Sequence, residues 1–393
     1  MTVLVINSGS SSIKYQLIDP DTRTSLASGL VERIGEAESH IEHSAHGTTV
    51  ELDEPITDHA HGLREVLRLF EEVGPSLLEA NVKAVGHRVV QGGKYFSRAA
   101  IIDDEVQQLI ADLAPLAPLH NPAHLKGIEV ARQLLAVPHV AVFDTAFFQG
   151  LPRETATYAL DREVAAKYQI RRYGAHGTSH QYVSRAVSEM MGREDLKQIV
   201  LHIGNGASVS AVVNGHAVDT SMGLTPLEGL VMGTRTGDID PAVVFHLARV
   251  GGMSIDDIDA LFNKHSGLKG LAGNNDMRAV WKLADAGDEN AAEAIEVYVH
   301  RLVHYIGAYT AVMGGVDVIT FTAGAGENDD RLRSLVIGRL AHFGVRLDAE
   351  ANAVRSKQPR FISTDDSTVR VAVVPTNEEL AIAQQAMELL AEA

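Results

Sequence analysis

Residues 3–19 read VLVINSGSSSIKYQLID, and residues 198–213 read QIVLHIGNGASVSAVV. Each is a run of strand formers, a short break of Gly, Ser and Asn, and a second run that resumes at once. The first break, Asn7 to Ser12, does not match G-x-x-x-x-G-K-[ST], and alternation with period 2 follows it. The pattern therefore predicts a hairpin where a phosphate-binding strand–loop–helix would otherwise stand. Ser12 and Ser208 lie 196 residues apart, half of the 393-residue chain, so the paired hairpins predict a duplicated domain. Asn214-Gly215 after the second hairpin predicts a further tight turn.

The rest of the chain fits a two-domain α/β protein. A chain of 393 residues exceeds what one core holds, and 45% hydrophobic with 22% charged residues is ordinary globular usage. A net charge of −17 disfavours nucleic acid and anionic membranes as partners. The N-terminal MTVLVINSG reads as a first strand and not as a signal peptide, and no apolar run approaches the ~18 residues of a spanning helix. With no cysteine, thiolate chemistry and disulfides are excluded, and a cytoplasmic location is expected.

Along the chain, strands are expected at 2–7, 12–18, 26–33, 39–44 and 47–53, then a helix from Asp58 to Val73. Val82 to Val90 reads as a strand, Asp103 to Leu113 as a helix, Pro122 to Leu135 as a helix capped by Asn121, and His139 to Phe143 as a strand that delivers Asp144. After residue 146 the order begins again. Val316 to Phe321 leads into a third glycine loop, Thr322 to Asn328; Val371 to Val374 is a last strand, and a helix from Glu379 ends the chain. The expected domains are 1–146 with 379–393, and 147–378, separated by a ligand cleft.

Three glycine loops at strand ends suit an anion, since backbone N–H groups in such turns form concave sites; a nucleotide triphosphate is the natural ligand. Lys14 alternates in phase with Ser12, so both side chains leave on one face, and a lysine there can meet a phosphate. Arg88, at a strand end before Gly92-Gly93, can hold a small carboxylic acid or close a surface ion pair. His176 and His180 are spaced for a metal pair on a helix. Gly177 weakens that helix and no third ligand follows, so two donors aimed at an anion are the better reading. Arg235, in MGTRTGD, can neutralise a moving phosphoryl group or serve as a loop arginine bonded to carbonyls. Asp144 can orient a cation or cap the helix after it.

Taken in order from residue 7 to residue 380, NSGSSSIK, GHRVVQGG, APLHNP, FDTAFF, RRYGAHGTSH, HIGNGAS, MGTRTGD, NNDMR, TAGAGEN and PTNEEL resemble the signature segments of the acetate kinase family. That family belongs to the acetate and sugar kinase/Hsp70/actin superfamily. The resemblance implies two duplicated actin-like (ribonuclease H-like) domains and reversible transfer of the γ-phosphoryl of ATP to acetate by direct in-line attack, giving acetyl phosphate and ADP. It assigns catalysis to Asp144, His176 and Arg235, and acid binding to Arg88, Val90, Leu119, His120 and Pro226. ATP falls to Ser12 and Lys14, to His202, Ile203, Gly204, Asn205 and Gly206, to Asp276, Met277 and Arg278, and to Gly324, Ala325, Gly326, Glu327 and Asn328. Asn7 and Glu378 match positions associated with Mg²⁺, or Mn²⁺ in its place, and a homodimer is implied.

One position departs from the family's pattern: Ala175 stands where many members carry phenylalanine. Losing an aromatic wall should enlarge the pocket for the acid's methyl group unless another side chain fills the space. Since one methylene is discriminated by only about 1–3 kcal/mol, a propionate or butyrate kinase is the nearest alternative. A nucleotide-dependent switch ATPase is the alternative from another class.

Overall fold

The computed structural model describes residues 1–118 and 120–392 and divides into two units: Met1–Gln149 with the segment from Asn377 onward, and Gly150–Thr376.

The first unit is built on one eight-stranded sheet. Its strands are β1 (Thr2–Ser8), β2 (Ser12–Asp19), β3 (Thr24–Glu32), β4 (Ser39–Ala45), β5 (Thr48–Glu54), β6 (Val82–Val89), β7 (Ala100–Ile101) and β8 (His139–Phe143), in the spatial order 5-4-3-2-1-6-8-7. β1 and β2 pair antiparallel from Val3 opposite Ile18 to Ser8 opposite Ile13, the hairpin that the opening stretch predicts. β6 and β8 then add in parallel beside β1. One reason the sheet can be covered closely is Gly86. An ideal Cβ there would lie 2.6 Å from Ile382 Cγ2, so only glycine lets the helix Glu378–Glu392 settle on the strand.

The second unit repeats this plan with β9 (Lys197–Ile203), β10 (Ala207–Val213), β11 (His216–Thr220), β12 (Val318–Thr322), β13 (Arg360–Phe361) and β14 (Arg370–Val373), in the order 11-10-9-12-14-13. The correspondence with 3-2-1-6-8-7 is strand for strand. An antiparallel three-strand meander leads into two parallel strands, and each sheet ends on a two-residue strand antiparallel to its neighbour. The chain is thus an α/β protein made of two like domains. Asn214 and Gly215, both at positive φ, turn β10 into β11.

Two expectations are corrected. The helix after APLHNP runs Asn121–Leu134 with His120 in the cap position; the Asn121 side chain bonds the Gln91 N–H (3.1 Å) and C=O (3.0 Å) instead of capping. Thr322 to Asn328 is not a loop, since Ala323–Asn328 forms a short helix. Its backbone is held there by long side chains: Glu327 Oε1 accepts the Ala323 N–H at 2.9 Å, and Arg333 Nη1 donates to the carbonyls of Gly326 and Glu327, both at 2.9 Å.

Candidate active site

In the first unit the sheet gathers charge at one end of its parallel strands. Arg88 is the penultimate residue of β6, and Asp144 directly follows β8, its N–H bonded to the Val89 carbonyl at 2.9 Å. Arg88 donates Nη2 to Asp144 Oδ2 at 2.7 Å and Nε to both oxygens at 3.2 Å. Asp144 is 1% exposed. Its charge drives the Arg88 guanidinium further above its ordinary range, against the opposing effect of burial. Asp144 does not cap a helix, the second role its position allowed.

Glu378 enters the same cluster from the start of the last helix, with Oε2 4.0 Å from Arg88 Nε and, among the described residues, no hydrogen bond to that buried oxygen. Burial raises the Glu378 carboxyl above its usual range, Asp144 and Glu379 push the same way, and Arg88 and Lys14 oppose them. Lys14, expected to meet a phosphate, pairs with Glu379. Ser12 Oγ lies against the turn, 2.7 Å from where a Cβ of Gly9 would be. Val90 is buried. Leu119 lies outside the described residues.

Sequence reasoning passed over His124, one turn into the helix after His120. Among the described residues neither ring nitrogen, both buried, has a well-formed hydrogen bond, and nor does the Ser8 hydroxyl at the end of β1. Burial, with Arg88 and His120 adding to it, lowers the imidazole to about 3, so it stays neutral.

In the second unit His202 and Ser208 flank the turn between β9 and β10, which closes by a Gly204 N–H to Gly206 C=O bond of 3.1 Å. His176 stands at the head of the helix Gly177–Met191 in the left-handed region, φ 59°. Its ring stacks on His202 with centroids 4.2 Å apart. The Ser208 hydroxyl lies 2.9 Å from His176 Nδ1 and 2.7 Å from His180 Nε2, and Ser210 Oγ lies 2.8 Å from His180 Nδ1. A hydroxyl has one proton, so it donates to one imidazole and accepts from the other. The i, i+4 histidines thus converge on a serine, and burial holds His180 well below the usual range.

Arg235 completes this set. Nη1 donates to the Pro226 carbonyl at 3.0 Å, and among the described residues the guanidinium has no carboxylate partner. Burial lowers its pKa. An ideal Cβ on Gly206 would lie 3.5 Å from His176 Nε2 and 3.6 Å from Arg235 Nη1, so an imidazole and a guanidinium converge over one glycine.

The remaining positions divide. Ile203 and Met277 turn their side chains into the hydrophobic core, leaving only their backbone to any ligand. Asp276 caps the helix Met277–Asp285 and pairs with Arg278 at 2.5 Å. The Asn205 carbonyl and side chain tie the turn to Gly233 and Asn275. Glu327, raised by burial, spends Oε1 on the Ala323 and Thr376 N–H groups, while Asn328 bonds the Gly324 carbonyl. Gly324 is exposed and Ala325 half-buried. Ala175 is buried in the hydrophobic core of the second unit.

The acetokinase family model matches residues 2–384. The chain belongs to the acetokinase family. The chain is 56% identical over 392 residues to an acetate kinase of Leifsonia xyli, covering 99% of both chains, and 55% identical over 393 residues to one of Streptomyces avermitilis, covering 99% of this chain and 97% of that one. Among solved structures it matches an acetate kinase of Porphyromonas gingivalis with TM-score 0.94 (41% identity, 99% of each chain). It also matches a propionate kinase of Francisella tularensis with TM-score 0.93 (41% identity, 98% of each chain).

Proposed function

We propose that the chain is an acetate kinase, catalysing ATP + acetate ⇌ ADP + acetyl phosphate by in-line attack of a carboxylate oxygen on the γ-phosphoryl. The observation that carries the chemistry is the pair Arg235 and His176 over Gly206, an arginine with no carboxylate of its own beside an imidazole. Phosphoryl transfer asks for positioning and for charge on the equatorial oxygens, which such donors supply. Family membership over nearly the whole chain supports acetate as the acid.

Arg88 would bind the acid. Asp144 occupies its Nε–Nη2 side, while Nη1 takes no hydrogen bond among the described residues. Acetate is already ionised at neutral pH and needs no general base. Asp144 acts by fixing the arginine and not by carrying a proton. Val90, Leu119, His120 and Pro226 are the proposed surroundings of the acid. The segments 202–206, 276–278 and 324–328, with Ser12 and Lys14, are the proposed ATP contacts.

Mg²⁺ is the expected cofactor, with Mn²⁺ as substitute. The buried Glu378 Oε2, without a hydrogen bond among the described residues, belongs to a carboxyl that burial raises, the chemistry of a group suited to a hard cation, and Asn7 at the end of β1 would add a carbonyl oxygen. Held by Glu378 and Asn7, such an ion would supply positive charge to the phosphates of ATP. By family likeness the protein is proposed to be a cytoplasmic homodimer, a state that light scattering in solution tests.

A propionate kinase is the second reading, because identity to the Porphyromonas acetate kinase and to the Francisella propionate kinase is 41% in both cases. The test is kcat/KM for acetate, propionate and butyrate, with acyl phosphate trapped as hydroxamate and Arg88→Ala as control. A propionate preference overturns the naming, and ATP hydrolysis without acyl phosphate overturns the kinase reading in favour of a switch.

A further inference from the structure

Arg235 sits in the stretch from Pro226 to Asp238, which has no helix or strand of its own. Such a stretch is mobile unless it is tied down. Two acidic side chains tie it. Glu228 uses both carboxylate oxygens: Oε1 accepts from Arg172 Nη2 at 2.7 Å, and Oε2 accepts from the Tyr158 hydroxyl. Arg172 is itself anchored, its Nη1 donating to the carbonyls of Thr220 and Met222, both at 3.1 Å, where β11 ends. Asp238 closes the loop on itself, its N–H bonding the Gly229 carbonyl at 2.9 Å and Oδ1 accepting the Gly229 N–H at 2.8 Å. Oδ2 of Asp238 then takes the Tyr305 hydroxyl at 2.8 Å and Arg301 Nη1 at 3.4 Å from the long helix Glu289–Met313.

The backbone is shaped around these ties. An ideal Cβ on Gly223 would lie 1.9 Å from Glu228 Oε2 and 2.0 Å from the Tyr158 hydroxyl oxygen, so any side chain there would break the pair. Gly237, at φ +69°, packs so closely that a Cβ would be 2.3 Å from the Leu230 carbonyl oxygen. Within the loop the one protein oxygen that holds Arg235 is the carbonyl of Pro226, two residues before Glu228. Fixing Glu228 therefore fixes the carbonyl that aims the guanidinium. Partly buried ion pairs are a weak source of stability but a strong source of direction, because their hydrogen bonds are satisfied in one geometry.

We infer that Glu228, held by Arg172 and Tyr158, and Asp238, held by Tyr305 and Arg301, are positioning residues that aim Arg235 at the transferring phosphoryl group. The inference rests on the reading of Arg235 given above. Misplacing a catalytic group by about 1 Å costs up to ~100-fold in rate, and Glu228→Ala is expected to lower kcat about 10- to 100-fold with KM for ATP and acetate within about threefold. Glu228→Gln, which keeps an acceptor, is expected to restore most of the rate.

The deciding experiment is a double-mutant cycle with Arg235→Ala, assayed with ATP and acetate, alongside thermal melts. Coupling is expected: in the Arg235→Ala background, Glu228→Ala adds less than about twofold, because there is no guanidinium left to misplace. Equal losses in both backgrounds, or a Glu228→Ala enzyme with unchanged kcat, overturn the inference. Should Glu228→Ala not fold, Tyr158→Phe removes one hydrogen bond from the same carboxylate, and its smaller loss must likewise vanish beside Arg235→Ala. Normal turnover in Arg235→Ala alone overturns the role of Arg235 itself, so the two failures are distinct.

Discussion

Asp144 grips Arg88 from 56 residues away, one oxygen at 2.7 Å from Nη2 and both at 3.2 Å from Nε, with the carboxylate almost wholly enclosed. A carboxylate so engaged works as an anchor. Asp144→Asn keeps one acceptor oxygen and removes the charge that sets the arginine. The expected outcome is a fall in kcat/KM for acetate of at least about tenfold with the acidic limb of the pH–rate profile in place. Loss of that limb would make Asp144 a proton carrier. Asp144→Ala, which strands a partly buried guanidinium, should in addition lower stability by about 3 kcal/mol in urea melts.

Arg235→Lys should be almost as damaging as Arg235→Ala. The guanidinium can keep the Pro226 carbonyl and still present donors to a phosphoryl oxygen, whereas an ammonium is one compact charge on a flexible stem. An arginine acting on transition-state charge is worth about 10³-fold or more in kcat, and KM for ATP should move little. A Lys variant within tenfold of wild type would assign Arg235 to loop structure.

How far the sequence alone reached is visible in these same residues. The hairpins were legible because period-2 burial and turn chemistry are local, as in Lys14 beside Ile13 and Tyr15, or Asn214-Gly215. Arg88 and Asp144 could each be singled out as charges at strand ends, but their pairing depends on β6 and β8 lying side by side, which no local signal encodes. His180 illustrates the same limit: its i, i+4 relation to His176 is local, while its partners Ser208 and Ser210 are about 30 residues away. TAGAGEN was misread for the opposite reason. Its glycines argue against a helix, and Arg333 and Glu327 override that preference with hydrogen bonds to the backbone.

Acid should unfold this protein through its buried imidazoles. Burial lowers His43, His87, His124, His139 and His180, so each prefers to stay neutral in the fold. The unfolded chain titrates near 6.5 and then binds more protons than the folded one, so stability falls as pH drops below about 6.5. For His124 the loss runs on toward its folded value of about 3. Comparing wild type with His124→Gln isolates one group. Between pH 6 and pH 4 the wild type should lose about 1.4 kcal/mol per pH unit relative to the variant in denaturant melts. Parallel stability curves would mean that His124 is protonated in the fold.

Gly206→Ala separates folding from chemistry. The glycine is not at positive φ, and the new methyl would meet His176 and Arg235 at 3.5–3.6 Å, ordinary contact distances, so the melting temperature should change little. Yet the methyl occupies the space over which His176 Nε2 and Arg235 Nη1 converge, where the phosphoryl oxygens are proposed to pass. The expected result is about 100-fold or greater loss of kcat, with the far-ultraviolet spectrum and thermal melt unchanged. An alanine enzyme that melts normally and turns over normally would move the phosphoryl group away from these two donors.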